Sequence, residues 1–311
     1  MAASIFIDGA VGTTGLEIAE RLAGRDEFTL LTLPEELRKD NAARREALNA
    51  ADFVILCLPD EAARGAVAMI DNPKTRVIDA SSAHRVAEGW TYGFAEVVGR
   101  ETVAGAMRVS NPGCYPTGFI ALVAPLVKAG LLPADWPYTV NAVSGYSGGG
   151  KALIARFEDD ADIAFRAYGL GMGHKHVAEM TKLAGLVHAP VFAPAVIPAH
   201  RGMVVEVPLP LLAMEALGKG AGSPEVLRLC LVDAYSASPV VTVHDDAPGE
   251  LLLRRSAMPS DRLDLYVFGA HDASQARLVA VLDNLGKGAS GAAVQNLNLM
   301  AGLPETAGLA L

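Results

Sequence analysis

Cys114 stands in the run Ser110-Asn111-Pro112-Gly113-Cys114-Tyr115-Pro116-Thr117-Gly118, a setting suited to nucleophilic chemistry. Pro112 and Gly113 require a tight turn. Pro116 falls in the first turn of a helix predicted over residues 116–129, so the sulfur is placed at a helix N-terminus. The peptide dipoles and free N–H groups there favour thiolate over thiol. A thiolate so placed attacks an acyl carbon and stores it as a thioester, with neighbouring N–H groups ready for the developing oxyanion. Taken alone, the run is equally compatible with a buried structural cysteine. Cys57 in FVILCLP and Cys230 in VLRLCLVDAY read as core. No CxxC pair or disulfide framework is present, and a reducing, cytoplasmic setting is expected.

The second feature with chemical capacity is Gly173-His174-Lys175-His176. Histidine exchanges a proton near neutral pH, as thiol activation and aldehyde protonation require. In extended chain the rings at i and i+2 point to opposite sides, so only one is expected to face Cys114. A surface turn or an HxH metal pair reads the same residues differently. No third ligand at suitable spacing accompanies them, and no metal is expected. His200, in FAPAVIPAHRGM, is the rival base, and Arg201 beside it is able to clamp a carboxylate or phosphate. His84, His188, His244 and His271 carry no motif and read as structural or exposed. Residues 144–151 (SGYSGGGK) end a strand in a loop of exposed N–H groups, either an anion cradle or a plain surface loop.

A nucleotide turn is written near the start. Gly9, Gly12 and Gly15 form a GxxGxxG loop, with Thr13 and Thr14 inside it, between a strand at 4–8 and a helix from 15 to 22. Glycine lets the backbone approach a pyrophosphate, which then rests on the helix N-terminus. The second strand, 28–33, ends without the acid that bonds a ribose 2′-hydroxyl in NAD sites. Arg38 and Lys39 follow and are able to meet a 2′-phosphate, which favours NADP; they are equally at home on a solvated helix face.

Further strands are predicted at 52–58 (DFVILCL) and 76–79 (RVID), the first apolar enough to be covered on both faces. Strands alternating with helices imply a doubly wound parallel sheet of the Rossmann type. After Cys114, strands at 138–144, 203–209, 240–243 and 263–268 imply an α+β domain with a largely antiparallel sheet. Pro125 predicts a kink or stop near Ala124. The expected domains are 1–113 for the dinucleotide, completed by a C-terminal helix from about 284 to 311, and 114–283 for catalysis, substrate and oligomerisation.

The chain has 311 residues, 51% hydrophobic, with a net charge of −9. That charge argues against a nucleic-acid partner. No uninterrupted apolar run is long enough to span a membrane, and the N-terminus lacks the basic start of a signal peptide.

SNPGCYPTG, then VSGYSGGGK, then HKH, with the tail DNLGKGASGAAVQNLNLM, resembles the N-acetyl-γ-glutamyl-phosphate reductase family of arginine biosynthesis. The length, DASSAHR and NAVSGYSGGGKALI resemble its shorter subtype. The resemblance implies an NADPH-dependent reduction of an acyl phosphate to a semialdehyde, with phosphate released and a Cys114 thioester between. It implies His174 as the catalytic histidine, with His176 supporting it or touching substrate. It further implies substrate contacts by Ser147, Gly148 and Lys151, and Arg85 near substrate anions, with Asn111 and Arg201 grouped with them. Ser81 and Ser82 are implied near the nicotinamide or ribose, and Lys287, Gly288, Ala289 and Ser290 on the cofactor's other side. A homo-oligomer, dimer or tetramer, is implied too. The rivals are a phosphorylating dehydrogenase acting on aspartyl or aminoadipyl phosphate and a non-enzymatic NADP-sensing Rossmann protein. A cysteine hydrolase has no use for the nucleotide turn.

Overall fold

The computed structural model describes residues 2–220, 222–246 and 248–311. The chain divides into two compact units, one of Met1–Pro112 with Ala289–Leu309, the other of Gly113–Gly288 with the last two residues.

The first unit holds six parallel strands: β1 (Ala3–Asp8), β2 (Phe28–Leu31), β3 (Phe53–Leu56), β4 (Arg76–Asp79), β5 (Thr91–Tyr92) and β6 (Arg108–Ser110), in the order 2-1-3-4-6-5. Its helices are α1 (Thr13–Leu22), α2 (Asn41–Ala50), α3 (Asp60–Ala68), α4 (Ala95–Val98) and α5 (Arg100–Gly105). Successive strand residues point to opposite faces, so two cores form. Ile5, Ile7, Ile55, Ile78 and Val109 pack with Ile18 and Leu22 of α1 and with Ala293, Leu297 and Met300 near the chain's end. Phe6, Val54, Leu56 and Val77 pack on the other face with Leu48 of α2 and Ala63 of α3. With both faces covered, β3 is wholly buried, as a near-continuous apolar strand requires.

The second unit is a seven-stranded sheet of β7 (Thr139–Gly145), β8 (Arg166–Ala167), β9 (Val191–Ile197), β10 (Met203–Leu209), β11 (Val241–Val243), β12 (Leu263–Gly269) and β13 (Ala276–Leu282), in the order 11-12-13-10-7-9-8. Four of its strand pairs are antiparallel, while β7–β9 and β11–β12 are parallel. The sheet is therefore mixed. The parallel β9 escaped the sequence reading because Pro194 interrupts it, and proline demotes a run from strand status. Here β9 lies one strand from the edge, beside the two-residue β8.

The helices of this unit are α6 (Cys114–Lys128), α7 (Gly150–Asp159), α8 (Val177–Leu183), α9 (Leu211–Ala216) and α10 (Pro224–Tyr235); α11 (Gly291–Met300) closes the chain's return to the first unit. The stop expected near Ala124 does not occur, since α6 runs through Pro125 to Lys128. Every residue from Tyr115 to Ala124 is buried, with α6 packed against β10, β13, α8 and α10, and that packing outweighs one missing backbone hydrogen bond. The fit is close: a Cβ on Gly118 would lie 2.9 Å from Val205. Gly130 (φ +73°) then ends the helix, and Leu131 and Leu132 N–H return to Leu126 O.

The C-terminal helix is shorter than expected. Residues 286–290 form a π-helical turn, with Gly288 N–H on Asp283 O at 3.0 Å, and only then does α11 begin. The glycines disfavour a regular helix, and Gly286 has no room for a side chain, since a Cβ there would come 1.9 Å from Ser260 O.

Candidate active site

In the second unit, Cys114 is the first residue of α6, preceded by Gly113 at the cap position with extended backbone. Gly113 brings no side chain to occupy the N–H groups at this helix start, and Pro116 contributes none. The first intrahelical bonds run from Thr117 N–H and Oγ1 to Gly113 O, both 2.9 Å. The Gly113 N–H donates to the buried carboxylate of Glu179 at 3.0 Å. Gly288 lies against the nucleophile; a Cβ there would be 2.9 Å from the Cys114 Cβ.

The histidine pair converges on the residue next to the nucleophile. His174 and His176 have ring centroids 4.6 Å apart, and both rings face Tyr115, at 6.4 and 5.8 Å. The expected opposition of the two side chains is thus wrong. Residues 174–177 form a turn into α8, His176 already has helical backbone angles, and the alternation of extended chain does not apply. His176 N–H donates to His174 Nδ1 at 3.2 Å, so the neutral His174 ring carries its proton on Nε2. His176 Nε2 lies 4.0 Å from Glu179 Oε1.

Aromatic residues wall this cluster. Phe192 packs edge-on to both Tyr115 and His174 at 5.1 Å, and Tyr168 meets His174 at 5.5 Å. The Tyr115 hydroxyl donates to Ala195 O at 3.0 Å. Burial, foremost, and the neighbouring Tyr168 and Cys114 hold that hydroxyl well above the ordinary phenol range. Burial pushes Tyr168 up to about 12, Cys114 adding to the rise while Tyr115 and the Arg166 cation oppose it. Both phenols therefore stay protonated at neutral pH.

Sequence reasoning missed Glu179, Tyr168 and Phe192. Glu179 had a signal, since it follows His176 by three residues and shares its helix face once α8 is placed. Phe192 arrives on β9 and Tyr168 just after the two-residue β8, and neither carried a motif.

The other cysteines are poor nucleophiles. Burial, then the carboxylates of Asp79 and Asp8, push the Cys57 thiol up to about 12. Burial, then Asp233, raises Cys230. A thiol of pKa about 12 is ionised to roughly one part in 10⁵ at pH 7. Iodoacetamide at pH 7 is accordingly expected to label one fast thiol per chain, lost in Cys114→Ala; two fast thiols, or fast labelling that survives the substitution, would contradict the assignment.

Residues 146–149 form a single 3₁₀ turn leading into α7. Ser147 is buried and its hydroxyl accepts from Asn284 Nδ2 at 2.9 Å, while Gly148 and Lys151 are exposed. Arg201 pairs with Asp283 at 2.8 Å. His200 packs edge-on to Tyr146 at 5.5 Å, on that turn, whereas the HKH rings lie on Tyr115. Lys287 is almost fully buried in this unit.

In the first unit, Gly9 (φ +91°) turns the chain out of β1, and a Cβ there would strike Cys57 O at 2.3 Å. A Cβ on Gly15 would lie 2.5 Å from Gly9 O, so the loop closes tightly over the start of α1. Gly12 caps α1 without a side chain, and Thr13, Thr14 and Gly15 present the helix's first N–H groups. This donor set fits the pyrophosphate of a nicotinamide dinucleotide. Arg38 is exposed just past a 3₁₀ turn, whereas Arg44 is committed to the buried Asp8 at 2.7 Å. Ser81 bonds Asp79 and Ser82 bonds Asp60. Ser290 donates to Glu17 at 2.8 Å. The Asn111 amide spans Ala289 O, at 2.9 Å, and Asn296, at 3.1 Å, while Asn111 O accepts from Arg85 Nε at 3.1 Å. Among the described residues no group of three metal-ligating side chains assembles, and no helix is long and apolar enough to cross a membrane.

Comparison with known proteins agrees with this division. Residues 26–106 match the semialdehyde dehydrogenase NAD binding domain, and residues 114–284 match the semialdehyde dehydrogenase dimerisation domain. The fold is shared with aspartate semialdehyde dehydrogenase II of Vibrio cholerae, solved in complex with ASA, at a TM-score of 0.70 and 17% identity over 96% of this chain and 98% of that one. An N-acetyl-gamma-glutamyl-phosphate reductase of Rhizobium meliloti is 50% identical over 96% of this chain and 99% of its own length. N-acetyl-gamma-glutamyl-phosphate reductase 2 of Nostoc sp. is 46% identical over 98% of each. With identity of this order along almost its whole length, the chain belongs to the N-acetyl-γ-glutamyl-phosphate reductase family, on a semialdehyde dehydrogenase fold.

Proposed function

We propose that the protein reduces N-acetyl-L-glutamyl 5-phosphate to N-acetyl-L-glutamate 5-semialdehyde through a thioester on Cys114. The observation that carries this reading is the nucleophile's place at the N-terminus of the buried α6, next in sequence to Tyr115, on which the two-histidine cluster packs. The Cys114 sulfur attacks the acyl carbon and the carbon–oxygen bond to phosphate breaks, releasing inorganic phosphate. A nicotinamide cofactor, when bound, supplies the hydride that converts the thioester carbonyl to a thiohemiacetal. N–H groups at the start of α6 stabilise the oxygen as it gains charge. His174, its proton on Nε2, donates to that oxygen and takes the proton back as the carbon–sulfur bond breaks.

A second reading, for the thiol proton alone, is favoured by Glu179. A histidine beside a buried carboxylate suits a nucleophile's base, so His176 takes the Cys114 proton and Glu179 steadies the imidazolium.

The cofactor in this proposal is NADP. The Gly9, Gly12 and Gly15 loop with Thr13 and Thr14 holds its pyrophosphate and the exposed Arg38 meets its 2′-phosphate, with Ser81, Ser82, Lys287, Gly288, Ala289 and Ser290 completing the contacts. Arg85 and Arg201 take substrate anions, and Asn111, Ser147, Gly148, Lys151 and His176 line the rest. The protein works in the cytoplasm and as a homo-oligomer, the latter supported by the match to a dimerisation domain.

The test is oxidation of the N-acetylated semialdehyde in the presence of phosphate. Absorbance at the reduced nicotinamide band is expected to rise only with phosphate and NADP⁺ present. Turnover of aspartate semialdehyde exceeding that of the N-acetylated aldehyde would overturn the substrate. Preference for NAD⁺ would overturn only the cofactor.

A further inference from the structure

Asp79, His84 and Trp90, around the turn that follows β4, have no part in the scheme above. Asp79 ends that strand with no exposed surface, and its carboxylate is fully engaged. Oδ1 accepts from Ser81 N–H at 2.9 Å, and Oδ2 accepts from the Ser81 hydroxyl at 2.8 Å and lies 2.6 Å from His84 Nδ1. The His84 ring, held from one edge by that bond, lies flat on Trp90, with centroids 4.1 Å apart and planes 14° from parallel. The turn between is pinned from outside as well, Arg64 donating to Ala83 O and Ser82 bonding Asp60. Arg85 is the next residue after His84, and its Nε donates to Asn111 O at 3.1 Å.

A buried carboxylate is costly unless its partners are fixed, so this cluster has one low-energy arrangement and the backbone at 84–85 is fixed with it. An arginine gains most as an anion receptor when its fork is already oriented, because less rotamer freedom is lost on binding. Arg85 is anchored on both sides. Its own Nε is tied to the backbone of the SNPGC segment, and its preceding residue is clamped between a carboxylate and an indole.

We propose that the Asp79–His84–Trp90 clamp sets the guanidinium of Arg85 for the phosphate end of the substrate, making His84 a positioning residue for phosphate. This rests on the reading that Arg85 meets a substrate anion, and the experiment separates the two. The wild-type enzyme and the variants R85A, H84F and H84N are assayed in the oxidative direction with phosphate, NADP⁺ and the aldehyde varied in turn. H84F keeps a ring on Trp90 but removes the bond to Asp79, and H84N replaces that donor without the ring.

The expected result is a rise of at least tenfold in the phosphate KM of H84F, with the KM values for NADP⁺ and aldehyde within about twofold of wild type. H84N is expected to recover most of the loss. R85A shows whether the guanidinium meets phosphate at all; if its phosphate KM is unchanged, the reading of Arg85 fails. If R85A raises that KM and folded H84F does not, the clamp is refuted. Equal effects of H84F on all three KM values, or a lowered melting temperature alone, would also refute it, since a merely structural staple does that. Should H84F not fold, W90L decides: a phosphate KM raised at least threefold supports the clamp, and an unchanged one overturns it.

Discussion

Cys114→Ser is expected to lower kcat at least about 10³-fold while leaving cofactor binding and thermal stability close to wild type. A serine hydroxyl fits where the half-buried sulfur sits, so the packing of Gly288 beside it is not disturbed. What is lost is ionisation. A helix N-terminus favours thiolate over thiol, but it is far too weak to make an alkoxide from an alcohol near neutral pH. No ester forms, no phosphate leaves, and hydride has no acyl group to reduce. Steady-state assay in both directions, together with mass analysis for an acyl adduct after substrate is added without reductant, checks the prediction. Wild type is expected to carry one adduct on the peptide containing Cys114. A serine variant with near-normal turnover would end the thioester scheme.

The second large effect is expected at the histidine pair, where the two rings separate by step. His174→Ala is expected to lower overall turnover by about 10²–10⁴-fold, the usual contribution of a placed acid–base group. Rapid mixing with the acyl phosphate is still expected to give a burst of released phosphate, because thiol attack precedes the proton transfer assigned to His174. In His176→Ala the burst itself is expected to slow, by about 10²-fold, as Glu179 is left without the ring beside it. Should the burst vanish in the His174 variant and persist in the other, the two roles are exchanged. If both variants keep wild-type rates, the proton passes through neither.

Much of the architecture could be read from the residues because it is set by local rules. Strand, glycine turn and helix at 3–22 follow from an apolar run, a residue forced to positive φ at Gly9 and helical spacing after it. The placing of Cys114 at a helix start follows from proline and glycine stereochemistry, and the helix ends at Gly130 for the same kind of reason. What could not be read depends on partners remote in sequence. Pro125 stays inside α6 because sheet and helices surround it, which no local propensity reveals. Pro194 hides β9, although its neighbours tolerate it. His174 and His176 share one side because the chain turns into α8 at His176, its cap residue, and an error of a residue or two in a helix boundary reverses where a side chain points. Asp79 looked like the end of an ordinary strand, and His84 looked unremarkable, since their bond needs the turn between them to fold back.

The division of the chain has a consequence for how the molecule is made. Ala293, Leu297 and Met300 fill one face of the parallel sheet, and they are encoded after the whole of Gly113–Gly288. At ribosomal speeds of about 5–20 residues per second, the N-terminal sheet waits on the order of ten to forty seconds for the helix that covers it. During that interval Ile5, Ile55 and Ile78 lack the apolar partners that Ala293, Leu297 and Met300 later supply. The Gly113–Gly288 body, contiguous in the message, is complete in sequence before that helix is made.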